Sequence, residues 1–150
     1  MNTVNSKYER LYNLAVCNVQ IGMSILNSFR SYPKSICVYQ LSAFQALSSI
    51  LEVLSGVFCE MSKYGNSDEI CANMPKFRSQ SRSVTSAVIL KNVRAYLLFC
   101  DMILKKFTKS RAINFTEIYL RGQTLSFELE KSFSNNNQIA VKRKKGSAEK

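Results

Sequence analysis

Histidine is absent from this chain. Its absence removes the commonest general base near neutral pH and the commonest side-chain metal ligand. Glycine and proline are scarce, at 5 and 2 residues among 150. That scarcity argues against a turn-rich β fold and for long helices. Acids are also few, 10 Asp and Glu against 21 Lys and Arg. They are scattered, and the close pairs, Asp68-Glu69 and Glu128/Glu130, suit a solvated loop and a helix exterior. There is no P-loop motif, no GxSxG and no HExxH. A carboxylate-bridged metal pair inside a helical bundle needs Glu-x-x-His repeats, which this chain cannot supply. The expectation is a non-enzymatic protein with no metal and no cofactor.

Long apolar runs are missing too. Stretches such as Leu97–Cys100 and Met102–Leu104 are interrupted by charge, and none approaches the ~20 apolar residues of a membrane span. The first dozen residues are polar and charged, without the apolar centre of a secretory signal. The five cysteines are Cys17, Cys37, Cys59, Cys71 and Cys100, an odd number with no CxxC pair. A disulfide framework is not expected. Cys17, Cys59 and Cys100 lie among apolar helical residues and read as small core side chains. Together these features point to a soluble protein in a reducing, cytoplasmic compartment.

The chain has the length of one domain with a single core. From Ser6 to Phe29, Tyr12, Val16, Val19, Met23 and Leu26 recur at helical steps, widened by Leu11, Ile21 and Ile25. Ser31-Tyr32-Pro33 stops this helix. A second helix is expected over Lys34–Lys63, with the stripe Val38, Leu41, Phe44, Leu47, Leu51, Leu54 and Phe58. Its other face carries Gln40, Ser42, Gln45, Ser48, Ser49 and Ser55 rather than charge. Such a face is either buried against a neighbouring subunit or a neutral solvated one. Tyr64-Gly65-Asn66 ends the helix.

Between Gly65 and Ser83 the pattern weakens. Asp68–Asn73 suits one helical turn, Pro75 breaks it or begins the next helix, and Lys76–Ser83 is a basic, serine-rich entry to the third helix or its exposed first turns. That helix spans Val84–Phe107 with the seam Leu90, Val93, Leu97, Cys100, Leu104 and Phe107, flanked by Ile89, Tyr96 and Ile103. Asn114-Phe115-Thr116-Glu117 has the form of a capping box. The fourth helix then runs to Phe133 with Ile118, Leu125, Leu129 and Phe133 as its seam, Gly122 for close approach and Ser134-Asn135-Asn136-Asn137 as its end. The expected architecture is all-α: an antiparallel up-down-up-down four-helix bundle over residues 1–134 and a disordered basic tail over 135–150.

Positive charge is concentrated. Lys76, Arg78, Arg82, Lys91, Arg94, Lys105, Lys106, Lys109 and Arg111 face one acid, Asp101, so the segment 76–111 carries +8 of the total +11. The tail from Lys142 to Lys150 adds +4, and the rest of the chain sums to −1. Lys91, Arg94, Asp101 and Lys105 share one face of the third helix. Lys105, Lys106, Lys109 and Arg111 crowd its C-terminal end, where cations relieve the helix dipole. The dipole accounts for one or two of them more easily than for four. A basic stripe with a basic tail is the electrostatic footprint of a nucleic-acid partner bound chiefly through phosphates. Tyr96 and Tyr119 could stack on bases, but their positions suit the core better. Lys142-Arg143-Lys144-Lys145 has the form of a nuclear localisation run and equally of a phosphate-binding or solubilising tail.

One set of residues resembles a known family. Tyr8-Glu9-Arg10 lies early in the first helix and Tyr32-Pro33-Lys34 opens the second. The third helix carries Ala87, Leu90 and Val93-Arg94-Ala95-Tyr96-Leu97-Leu98-Phe99. The fourth opens Ile113-Asn114-Phe115-Thr116-Glu117-Ile118-Tyr119 and continues through Leu125, Glu128-Leu129 and Phe133. Their order and spacing over residues 8–134 resemble the four-helix family of 23S rRNA intervening-sequence proteins. Within it the resemblance is to the accessory variability determinants of diversity-generating retroelements. The chain departs from that pattern in its longer Gly65–Ser83 connection and in Lys131-Ser132-Phe133, where the family often has a Gly-Trp pair. The resemblance implies a homopentameric ring of four-helix bundles with a basic outer surface. It also implies a non-enzymatic partner of a reverse transcriptase. That complex would bind the template-repeat RNA, or an RNA/DNA hybrid, and support error-prone cDNA synthesis for mutagenic retrohoming. Two other readings stand beside it. One is a helical adaptor or chaperone without nucleic-acid binding, suggested by the neutral face of the second helix. The other, weaker for want of an exposed aromatic or Leu-rich face, is a basic bundle on an anionic membrane surface.

Overall fold

In the computed structural model, the backbone is described for residues 3–64, 70–71, 74, 77, 85–107 and 113–148, and side chains for 6–64, 74, 77, 85–106 and 113–134. Among the described residues there are four helices, α1 (Thr3–Asn27), α2 (Leu41–Ser62), α3 (Ser86–Phe107) and α4 (Thr116–Ala148). A 3-10 turn at Val38–Gln40 precedes α2. Two short strands, β1 (Ile70–Cys71) and β2 (Ile113–Asn114), pair in parallel with Ile70 opposite Ile113.

Each helix buries one face in a shared core. Phe44, Leu47, Leu51, Leu54 and Phe58 of α2 are fully buried, as are Leu90, Val93, Leu97 and Cys100 of α3 and Ile118, Leu125 and Leu129 of α4. These are the seams the periodicity predicts. In α1 the buried set is Tyr8, Ala15, Val19 and Leu26, with Gly22 beside Leu97 and Ile50. The seam is thus turned toward the small residues, where a neighbouring helix comes closest. Ile21 is left 51% exposed and Cys17 also faces outward rather than joining the core. At the start of α4 the Asn114 Oδ1 accepts from the Thr116 N–H at 3.0 Å, so the asparagine of the expected capping box bonds the first turn through Thr116.

The order of the helices around the core differs from the up-down-up-down expectation. α1 packs on α2 and α3, and α4 packs on α2 and α3, so α2 and α3 stand diagonally opposite. Paired contacts give the directions. Tyr8 meets Tyr64 and Phe29 meets Phe44, so α1 and α2 are antiparallel. The Tyr12 hydroxyl donates to the Leu104 carbonyl and Arg94 reaches Asn27, so α1 and α3 are antiparallel. Ser48 meets Ser126 and Ser55 meets Tyr119, so α2 and α4 are antiparallel. The arrangement is therefore up-down-down-up, with every adjacent pair antiparallel. The physical reason is the connection between α2 and α3, which is long enough to run the length of the bundle. It starts beside α4, where β1 pairs with β2. Phe77 lies under the Arg121 guanidinium of α4 at 4.0 Å, and Met74 and Phe77 pack on the core. The chain arrives at the far end, where the Ser86 N–H donates to the Lys34 carbonyl at 3.2 Å.

Other boundaries shift for local reasons. α2 starts at Leu41, not Lys34. The Lys34 carbonyl is taken by Ser86, and the Gln40 N–H closes the tighter turn on the Cys37 carbonyl at 2.9 Å. Val38, expected in the core stripe, is consequently 85% exposed. Ile70–Cys71 form the strand pairing rather than a helical turn. The α4 backbone continues past Ser134-Asn135-Asn136-Asn137 to Ala148. The expected disordered tail falls beyond the described side chains, and the expectations for Gly65-Asn66, Pro75 and Phe107 likewise lie outside them. Within Val38–Ser62 an 18-residue window reaches a mean hydropathy of 1.5, enough by length and composition for a membrane span, and half of that window is buried inside the bundle.

The neutral face of α2 divides. Ser42, Gln45 and Ser49 are exposed, whereas Ser48 and Ser55 are buried against α4 of the same chain. Ser126 Oγ donates to the Ser48 carbonyl at 3.0 Å, the two hydroxyls lie 3.1 Å apart, and Ser55 Oγ donates to the Tyr119 carbonyl at 2.9 Å. Gly122 sits where an added Cβ would stand 2.7 Å from Tyr96 Oη and 3.4 Å from Ser55 Cβ. Tyr96 is itself buried and donates to the Ile118 carbonyl at 3.0 Å. Gly122→Ala is expected to destabilise the fold by about 1–3 kcal/mol, the range of overpacked cores. Gly56→Ala meets nothing within 4 Å and should stabilise by about 0.5–1 kcal/mol through helix propensity. Urea unfolding of the two variants measures both signs.

Candidate nucleic-acid interface

The sequence places a basic stripe on the third helix. In the structure Lys91, Arg94, Lys105 and Lys106 are all exposed on α3. Lys91, Arg94 and Lys105 fall on one face, with Lys106 a step around it. Between the two basic groups the same face presents Leu98 and Met102, 46% and 49% exposed. At 1.5 Å per residue, Arg94 and Lys105 are roughly 16 Å apart along the axis. The stripe is thus two basic clusters separated by an apolar patch. In the lower cluster Lys105 Nζ pairs with Asp101 Oδ2 at 3.1 Å. The pair is exposed and worth little to stability, but it offsets the local positive charge. Lys105 and Lys106 stand in the last turn of α3, where they also complement the helix dipole.

The upper cluster has different surroundings. Arg94 Nη1 donates to Asn27 Oδ1, at the end of α1, at 3.4 Å. Beside it the α1–α2 connection is built on Phe29, which packs edge-on against both Tyr32 and Phe44 at 6.3 and 5.6 Å between ring centroids. The Ser28 hydroxyl closes the end of α1 by donating to the Ile25 carbonyl at 2.6 Å. This framework holds Arg30 on the wall between two clefts. One, of about 350 Å³, is lined by Asn27, Arg30, Ser31, Tyr32 and Arg94 with Leu26 and Phe29 as its floor. The other, of about 430 Å³, is lined by Ser28, Arg30, Ser31, Tyr39, Gln40 and Ala43. Tyr39 stands 82% exposed on the 3-10 turn. A hydrogen bond with the Cys37 side chain raises its pKa above the ordinary phenol value, so the ring is neutral across the physiological range.

Among the described residues neither Arg30 nor Arg94 has a carboxylate partner. The sequence shows why: no Asp or Glu occurs between residues 10 and 51 or between 70 and 100. Glu128 and Glu130 stand at this level of the bundle on α4, beside α3 and diagonally across from α1. Arg30, Lys34, Lys91 and Arg94 therefore make one basic end of the bundle. Arg30 and Tyr39 escaped the reading of the sequence, which followed the density of bases. The signal that would have found them is the long acid-free stretch.

The remaining sequence candidates are not brought into view. Lys76, Arg78, Arg82, Lys109 and Arg111 lie outside the described residues, and Lys142, Arg143, Lys144 and Lys145 lie on α4 beyond its described side chains. Tyr96 is fully buried, with its pKa raised by desolvation, and cannot meet a base; the Cys100 thiol beside it is likewise shifted upward by burial. Tyr119 packs partly buried on the core. Among the described residues no group of three His, Cys, Asp or Glu side chains is placed to hold a metal.

Because the Lys91 and Arg94 heads are in water, Lys91→Glu and Arg94→Glu together should leave the circular-dichroism spectrum unchanged and the melting midpoint within roughly 3 °C. A loss of helicity would assign these two residues to holding the fold. No protein-family model, no curated protein and no solved structure matches this chain.

Proposed function

We propose that this protein is a non-enzymatic RNA-binding accessory factor of a reverse transcriptase in a diversity-generating retroelement. The observation that carries the RNA-binding part is the cleft lined by Arg30 and Arg94, with Lys34 and Lys91 exposed at the same end of the bundle and no carboxylate paired to either arginine among the described residues. Phosphate contacts from such a cluster position a polynucleotide without reading its sequence. That suits a protein whose task is to hold an RNA template for a polymerase. The retroelement assignment, the polymerase partner, the template-repeat RNA or RNA/DNA hybrid, the homopentamer and a cytoplasmic setting rest on the family resemblance over residues 8–134.

A specific observation favours a second reading, a protein-interaction adaptor. Leu14 and Ile21 of α1 and Leu120 and Phe127 of α4 are each seven residues apart and 45–65% exposed. Such stripes also suit subunit contacts of a homo-oligomer, so they favour protein contact in either reading.

Co-expression with a reverse transcriptase encoded beside this chain, followed by light scattering with and without nuclease, separates the two. The expected result is a nuclease-sensitive complex with several copies of this chain per polymerase. A lone monomer free of nucleic acid would leave the adaptor. In the same preparation, the double charge reversal at Lys91 and Arg94 should weaken single-stranded RNA binding. It should also flatten the dependence of log K on log salt by about 1.4, at roughly 0.7 for each phosphate no longer neutralised. An unchanged slope would remove α3 from the interface.

A further inference from the structure

We propose that the basic end of the bundle holds a single-stranded polynucleotide in two adjoining clefts, one phosphate between Arg30 and Arg94 and the neighbouring base on the ring of Tyr39. This deepens the RNA-binding reading and rests on it. Three features of the structure carry it. First, Arg30 lines both clefts, with Arg94 and Tyr32 on one side and Tyr39 and Gln40 on the other. A ligand that meets both sides of Arg30 must offer an anion and a flat apolar surface a short distance apart, as one nucleotide does. Second, Arg30 and Arg94 line the same cleft, and neither has a carboxylate partner among the described residues. An anion in this cleft would meet two cationic side chains, and planar guanidinium donors match phosphate oxygens. Third, Tyr39 is 82% exposed on the 3-10 turn and lines the second cleft. An exposed neutral ring beside arginine is the element on which unpaired bases stack, with little preference among them.

The geometry selects a single strand. In a duplex the bases are stacked on one another, and no face is free for Tyr39. Arg30 and Arg94 would contact the phosphates of either form.

The test uses the full chain and fluorescence anisotropy with a labelled oligo-uridine and with an RNA duplex of equal length. Tyr39→Ala should weaken the oligo-uridine roughly tenfold and leave the duplex unchanged. Tyr39→Phe, which keeps the ring, should bind as the parent does. Arg30→Gln should weaken both ligands and flatten the salt dependence by about 0.7 for the single strand. Equal binding of oligo-uridine by Tyr39→Ala and the parent would overturn the stacking site and leave the phosphate contacts standing. Equal displacement of the oligonucleotide by a poly-glutamate peptide would overturn it as well, because charge alone would then explain the binding. If the parent binds neither RNA, the nucleic-acid reading fails and this site with it.

Discussion

The close approach of α2 to α4 organises the bundle. It depends on residues that leave little side chain in the way: Ser48, Ser55, Gly122 and Ser126. A buried hydroxyl is costly unless it is bonded. Here the hydroxyls answer one another and the facing carbonyls, Ser48 with Ser126 and Ser55 with Tyr119. The contact thus combines close packing with satisfied polar groups. Tyr96 then fills the space above Gly122 from α3 and donates to the Ile118 carbonyl. One small-residue contact therefore positions three of the four helices. The fourth, α1, is held from the other side by Tyr12 on Leu104 and by Gly22 against Leu97 and Ile50.

This architecture accounts for what the sequence disclosed and what it withheld. Large apolar residues at helical steps announce α2, α3 and α4 almost residue by residue, since Leu51, Leu97 and Leu125 are buried wherever the helices meet. Small residues carry no such mark. Ala15 and Gly22 decide the phase of α1, and a hydrophobic stripe drawn through Met23 and Val16 misses them. Ser48 and Ser55 looked like a neutral outer face because hydroxyl burial depends on a partner seventy or so positions away. The start of α2 depended on Ser86 bonding the Lys34 carbonyl, again a distant event.

The functional surface was legible in the same uneven way. Counting bases located Lys91 and Arg94 correctly on an exposed face. It could not show that Asp101 partly offsets Lys105 while Arg94 has no such neighbour, although the i, i+4 spacing of the former pair was in plain view. Arg30 joins Arg94 only because α1 and α3 are antiparallel neighbours, and Tyr39 is exposed only because the chain makes a 3-10 turn before α2. Charge at an interface is additive along a sequence, but an anion cleft requires that particular side chains converge, and convergence is a property of the fold.

The passage from α2 to α3 divides the molecule into two helical hairpins, α1–α2 and α3–α4, each closed locally. The 23 residues between Ser62 and Ser86 could extend to roughly 75 Å at the limit of the backbone. A 22-residue helix such as α2 is only about 33 Å long. The connection is therefore long enough to reach the far end of the bundle while Ile70–Cys71 pair with β2 and Phe77 packs under Arg121. Anchored at these points, the connection joins the two hairpins along their flank as well as in sequence.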